Sequence, residues 1–172
     1  MSETTDAELV PDDRLRTATI LSEIPVVGPE RWQRLSFPKR WLVATRAAVL
    51  VLTFSSAAFG GLLALHGALT GGGTFHALAW LACCLGLLLA HATNNLLNDL
   101  TDSWHGVDDG NYFRTRYGTH VLQHGLLDER GMWGYIAGTG LAALAIGLGL
   151  LWQTGPSLLV PLLAGAFFLV FY

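Results

Sequence analysis

Long apolar segments separated by short polar connections form the main pattern along the chain. No charged residue occurs in segments 47–98 and 131–172, and glycine-rich or Gly-Pro turns divide each of them. A membrane-spanning helix needs roughly 20 apolar residues. The pattern therefore predicts an all-α fold, a polytopic transmembrane helical bundle with four spans at about 41–69, 75–98, 132–153 and 156–172.

The first 40 residues have a different composition. They are acidic at first and contain several prolines, which predicts a flexible polar tail, residues 1–40, before a membrane domain of residues 41–172. Basic and aromatic residues at 31–34 and 39–41 are typical of an anchor at the membrane interface.

Charge composition and location support the same class of protein. Hydrophobic residues make up 52% of the chain and charged residues 13%, and all 10 Lys and Arg lie before residue 47 or between residues 99 and 131. By the positive-inside rule, the N-terminus and the 99–131 connection are predicted to be cytoplasmic. We expect a multi-pass protein of the cell inner membrane that contacts the lipid bilayer and does not bind nucleic acid.

The second predicted span ends in amides and carboxylates. Asn95, Asp99 and Asp102 stand at i, i+4 and i+7, so a helix would place them on one face. Mg²⁺ prefers oxygen ligands and is typically held by one or two carboxylates plus substrate phosphates. Arg114 and Arg116 follow, and arginine suits bidentate contact with phosphate oxygens. Together these residues predict a magnesium–diphosphate site at the cytoplasmic membrane surface.

The polar residues near the end of the second span could instead have purely structural roles. The amides could join helices by hydrogen bonds, and the aspartates could form a solvated helix end. His91 is either a buried hydrogen-bonding group or a ligand. Arg46 either snorkels to the interface or faces the site. Three further histidines match no metal-ligand spacing and are predicted to lie in a loop or at the surface; they are His105, His120 and His124.

A family resemblance follows from these motifs. The segment 95–102 reads N-L-L-N-D-L-T-D, and Gly106-Val-Asp108, Arg116-Tyr-Gly118 and Gly125-Leu-Leu127 come later. They resemble the first aspartate-rich motif and the following loop of the UbiA superfamily of intramembrane prenyltransferases. The similarity is greatest to the branch that makes menaquinone-type dihydroxynaphthoate products in quinone biosynthesis.

The resemblance implies an activity and roles for named residues. A prenyltransferase of this type moves a polyprenyl group from its diphosphate to an aromatic acceptor. Asn95, Asp99 and Asp102 would bind Mg²⁺, and the two aspartates would be catalytic through that metal. The substrate-binding residues would be Arg46, Asp108, Arg114 and Arg116. Arg46 resembles the arginine that opens the family's first helix, although the usual following proline is Ala47 here.

The resemblance covers about the first half of a family member, which carries further helices and a second aspartate-rich motif. We therefore expect the chain to be truncated, with the second motif supplied by a longer reading frame or a partner chain. The alternative is a non-catalytic homologue or subunit that binds a lipid diphosphate or a partner membrane protein. A cation transporter is disfavoured because nothing polar continues across the second span beyond His91.

Overall fold

Helices are the only regular elements in the residues that the computed structural model describes, which are 15–105 and 118–171. Two short 3₁₀ helices, Ala47–Val49 and Pro156–Leu158, precede α4 and α7. The α-helices are α1 (Thr17–Ser22), α2 (Pro29–Arg34), α3 (Phe37–Ala44), α4 (Leu50–Leu69), α5 (Ala77–His105), α6 (Glu129–Thr154) and α7 (Leu159–Phe171). The all-α prediction is confirmed for this part of the chain.

Three helical segments are long and apolar enough to cross a membrane, judged by length and composition. They are Ala47–Leu69, Ala77–His105 and Glu129–Thr154. Many large apolar side chains on them are exposed, including Leu52, Phe59, Leu78 and Leu141, as expected of surfaces that face lipid. The fourth predicted span contains a shorter apolar helix, Pro156–Leu169, so the count of four spans stays a prediction.

The first membrane-length segment begins later than the apolar pattern indicated. Helix α3 ends at Ala44, and the chain then turns at Thr45 and Arg46. Arg46 has φ of 52°, a left-handed conformation that a non-glycine residue rarely adopts and that interrupts a right-handed helix. The prediction of a continuous span from residue 41 is therefore wrong, and the apolar segment starts at Ala47.

The chain divides into two compact units. The first contains residues up to Val49 together with Asn95–Tyr135, and the second contains Leu50–Asn94 with Ile136–Tyr172. Apolar side chains from all described parts of the first unit are buried, namely Ile20, Val27, Trp32, Val43, Leu96, Leu100, Val121 and Met132. This unit carries the predicted ligands.

The N-terminal segment is folded from Leu15 onward. Pro29 and Pro38 lie in the first turns of α2 and α3, where proline favours a helix start. The Val27 N–H donates to Thr119 Oγ1 at 2.9 Å, and that hydroxyl donates to the Pro25 carbonyl at 2.6 Å. The prediction of a flexible tail is wrong for residues 15–40, because buried apolar residues and these bonds fix them. Residues 1–14 lie outside the described residues.

Polar and small residues join helices in the second unit. Thr53 Oγ1 and His91 Nδ1 share a hydrogen bond of 2.6 Å, which confirms the hydrogen-bonding interpretation of His91. The Trp80 indole N–H donates to the Ala57 carbonyl at 3.0 Å. Gly61 lies directly against this indole, and a Cβ added there would overlap the ring. A residue without a side chain is therefore required at this contact.

Gly61→Ala should destabilise the protein by about 1–3 kcal/mol, the usual cost of adding a methyl group to a filled site. The Trp80 ring would have to move, which would also disturb its bond to Ala57. Gly60→Ala is the matched control, because a Cβ at Gly60 meets no atom within 4 Å. Reversible unfolding in mixed micelles measures both variants. Equal stability of the two would contradict the packing argument.

Candidate functional site

The predicted ligands lie on one helix. Asn95, Asp99 and Asp102 all fall within α5, so their i, i+4, i+7 spacing places them on the same face. Asp99 is buried, with 4% of its surface exposed, while Asn95 and Asp102 are half-buried. A carboxylate is costly to bury unless other groups compensate its charge and fill its hydrogen-bonding capacity.

Two donors from distant parts of the first unit compensate Asp99. Arg46 Nη2 lies 2.8 Å from Asp99 Oδ1, and His120 Nδ1 lies 3.0 Å from the same oxygen. Both distances correspond to hydrogen bonds, and the first is charge-assisted. Arg46 therefore faces Asp99, as one of the two sequence interpretations proposed.

His120 can hydrogen-bond to Asp99 in the form that carries a hydrogen on Nδ1. An ionised carboxylate only accepts, so a hydrogen bond between His120 Nδ1 and Asp99 Oδ1 requires the hydrogen to be on Nδ1. Arg46 Nη2 and His120 Nδ1 are 3.2 Å apart, and both lie within hydrogen-bonding distance of Asp99 Oδ1. Within the described part of the chain, no hydrogen bond is directed at Oδ2. That oxygen is the one with capacity for another partner.

The turn between α3 and α4 also holds Asn95. The Asn95 Nδ2 group donates to the Thr45 carbonyl at 2.8 Å, and Thr45 is fully buried. Carbonyls at a helix C-terminus lack an intrahelical partner, so the side-chain amide fills a vacant acceptor. Thr45 and Arg46, two consecutive residues, thus hold two of the three predicted ligands. The Asn95 amide oxygen is the atom that could bind a cation.

A short turn positions His120. Gly118 has φ of 128°, which suits glycine alone, and Thr119 is tied to the N-terminal segment. The His124 N–H donates to the His120 carbonyl at 2.9 Å, and the turn ends at Gly125 with φ of 65°. His120 is only 7% exposed. The predicted loop position of His120 is confirmed, but the residue is not at the surface, because this turn packs its side chain against Asp99.

His124 adds little positive charge near Arg46, Asp99 and His120. Its ring meets that of His120 edge-on, with centroids 6.2 Å apart. Burial lowers the pKa of His124, and His120 lowers it further, whereas Asp99 raises it. Because its ordinary value is 6.5, the lowered pKa leaves the ring mainly neutral at pH 7.

The other predicted residues have different outcomes. His105 is exposed and its Nδ1 contacts the Thr101 carbonyl at 2.7 Å, which confirms its surface assignment. The role of Asp102 stays a prediction. Three predicted substrate contacts lie outside the described residues: Asp108, Arg114 and Arg116.

The donor atoms fit a hard divalent cation. An amide oxygen and two carboxylates are the ligands that Mg²⁺ uses together with water and substrate phosphates. Among residues 15–105 and 118–171, no group of three or more His, Cys, Asp or Glu could hold a metal ion. Any Mg²⁺ would therefore depend on the amide and on substrate oxygens as well as on the aspartates.

Comparison of the chain with models of protein families, with curated proteins and with solved structures gives no match. The family resemblance therefore rests on the motifs at residues 95–102, 106–108, 116–118 and 125–127.

Proposed function

We propose that the protein acts as a UbiA-type prenyltransferase. It would bind a polyprenyl diphosphate with Mg²⁺ at Asn95, Asp99 and Asp102 and transfer the polyprenyl group to an aromatic acceptor. The observation that supports this proposal most directly is the burial of Asp99 and the arrangement of its hydrogen bonds. Asp99 is buried near the end of an apolar, membrane-length helix, and both hydrogen bonds that it accepts from residues 15–105 and 118–171 reach Oδ1, so Oδ2 would be the oxygen that binds a cation.

The proposed reaction breaks the allylic C–O bond of the donor and forms a bond to the acceptor, which loses a proton. Diphosphate departs with the bonding electron pair, and bound Mg²⁺ would supply charge that stabilises this leaving group. Asp99 and Asp102 would hold the cation. Arg114 and Arg116, which follow α5 in the sequence, would contact phosphate oxygens.

In the proposed reaction, Arg46 would compensate the charge of Asp99. Its guanidinium compensates the Asp99 charge in the absence of substrate, which keeps an ionised carboxylate tolerable in a buried position. It contributes one positive charge to the site, and a diphosphate would be attracted by the same charge. The substrate-binding role predicted for Arg46 therefore agrees with its contact to Asp99.

Binding and product formation test the proposal together. Purified protein in lipid nanodiscs is incubated with labelled geranylgeranyl diphosphate, with Mg²⁺ or with EDTA, and with aromatic acceptors that include a dihydroxynaphthoate. Mg²⁺-dependent binding with prenylated product would support the proposal. Binding without product would favour the alternative of a non-catalytic subunit that needs a partner chain. Absence of Mg²⁺-dependent binding would overturn the prenyltransferase proposal and also a non-catalytic subunit that binds a lipid diphosphate.

We also propose that the N-terminus and the 99–131 connection face the cytoplasm of the inner membrane, because they carry all of the Lys and Arg. With Cys83 and Cys84 replaced by alanine, Gly72→Cys in intact cells should react with a membrane-impermeant maleimide. Gly110→Cys should react only after permeabilisation. Labelling of Gly110→Cys in intact cells while Gly72→Cys stays unlabelled would refute this topology.

A further inference from the structure

We infer that His120 is a positioning residue that orients the Asp99 carboxylate for cation binding. Its Nδ1–H would hold Oδ1 so that Oδ2 points toward the metal. This inference rests on the proposed function. His120 lies between the motifs at residues 116–118 and 125–127 and belongs to neither.

Two nitrogen atoms from separate segments converge on Asp99 Oδ1. A carboxylate can rotate about its Cβ–Cγ bond, and a single flexible arginine could follow either oxygen. His120 approaches from a different segment and reaches the same oxygen at 3.0 Å, while Arg46 reaches it at 2.8 Å. Two convergent donors fix which oxygen is engaged, so the other oxygen has a defined direction.

The choice of residue type fits this task. Imidazole can donate from Nδ1 in its neutral form, whereas lysine or a second arginine would bring another full positive charge. A second charge would repel a divalent cation at Asp99. The Arg46 guanidinium already compensates the carboxylate, so the useful second partner is a donor that need not be charged.

The surrounding structure holds His120 rigidly. Its neighbour Thr119 is 2% exposed and is hydrogen-bonded to both Pro25 and Val27. The following turn is closed by the bond from the His124 N–H to the His120 carbonyl. Metal-ligating carboxylates are usually oriented by such outer hydrogen bonds, and loss of these partners typically lowers metal affinity about 10–100-fold.

Two His120 variants separate hydrogen bonding from packing. His120→Leu removes the donor, while His120→Asn places an amide N–H near the former Nδ1–H. The probe is Mn²⁺, whose binding is followed by electron paramagnetic resonance in the presence of geranyl diphosphate. We expect His120→Leu to weaken Mn²⁺ binding about 10–100-fold and His120→Asn to restore most of the affinity. The exposed His105→Ala variant should match wild type.

Nitrogen-15 NMR of histidine-labelled protein gives a second readout. Wild-type His120 should show a protonated Nδ1, and its signal should shift when Mg²⁺ and geranyl diphosphate are added. Asp99→Asn should abolish that shift.

Three outcomes would overturn the inference. These are wild-type Mn²⁺ affinity in His120→Leu, equal weakening in His120→Leu and His120→Asn, or a His120 signal that does not respond to Mg²⁺ and diphosphate. Circular dichroism and size exclusion verify that each variant is folded. Failure of wild type to bind Mn²⁺ with geranyl diphosphate would instead overturn the proposed function on which the inference rests.

Discussion

Replacing Asp99 by asparagine is expected to weaken Mg²⁺-dependent binding of a polyprenyl diphosphate at least about 100-fold, which corresponds to about 2.7 kcal/mol. Asp99→Asn keeps the size of the side chain and an oxygen that can accept from Arg46. It removes the negative charge that would face the cation. Asp99→Ala should abolish binding, because removal of one partner from a buried charge pair costs several kcal/mol.

Isothermal titration in detergent, with and without Mg²⁺, measures this effect. His105→Ala is the control, because His105 is exposed and contacts only a backbone carbonyl of its own helix among the contacts described for it. It should bind like wild type. Equal Mg²⁺-dependent binding by wild type and Asp99→Asn would contradict the assignment of Asp99 as a ligand.

The part of this site that lies on α5 could be predicted from sequence. Charge-free apolar runs locate membrane-length helices, and the spacing of Asn95, Asp99 and Asp102 depends only on helical periodicity. The structure extends α5 to His105, beyond the predicted end at residue 98. All three residues therefore lie in regular helix rather than at a frayed end.

The partners of Asp99 could not be predicted in the same way. Arg46 is 53 positions away in the chain and His120 is 21 positions away. No local periodicity connects them. The turn at Thr45 and Arg46 interrupts an apolar stretch without glycine or proline, so no turn signal marks it. Its left-handed residue is stabilised by tertiary contacts that only the folded chain supplies.

For the N-terminal segment, the sequence predicts less structure than is present. Its prolines and charges resemble a flexible tail, yet Pro29 and Pro38 begin helices rather than prevent them. Buried side chains such as Ile20 and Trp32 then fix the segment. Its apolar residues are few and widely spaced, so composition does not predict that the segment folds. In the structure these residues are buried within the first unit, and each contributes to its packing.

Arg46→Asn is expected to lower the free energy of unfolding by about 3 kcal/mol, the lower end of the usual cost of removing one partner of a buried ion pair. Arg46 is 27% exposed and His120 would still donate to Asp99, which is why we expect the lower end. Asparagine is the informative substitution because it tolerates a left-handed φ better than other non-glycine residues. The loss should therefore report on the charge pair rather than on backbone strain.

A double-mutant cycle with Asp99→Asn tests whether the pair itself is responsible. With both charges removed, no unpaired buried carboxylate remains, so the double variant should lose less stability than the sum of the two single variants. Unfolding by sodium dodecyl sulfate in mixed micelles, followed by tryptophan fluorescence, provides the four free energies. Strictly additive losses would show that Arg46 and Asp99 do not interact energetically. In that case the left-handed turn at Arg46 would have to be explained by helix packing alone.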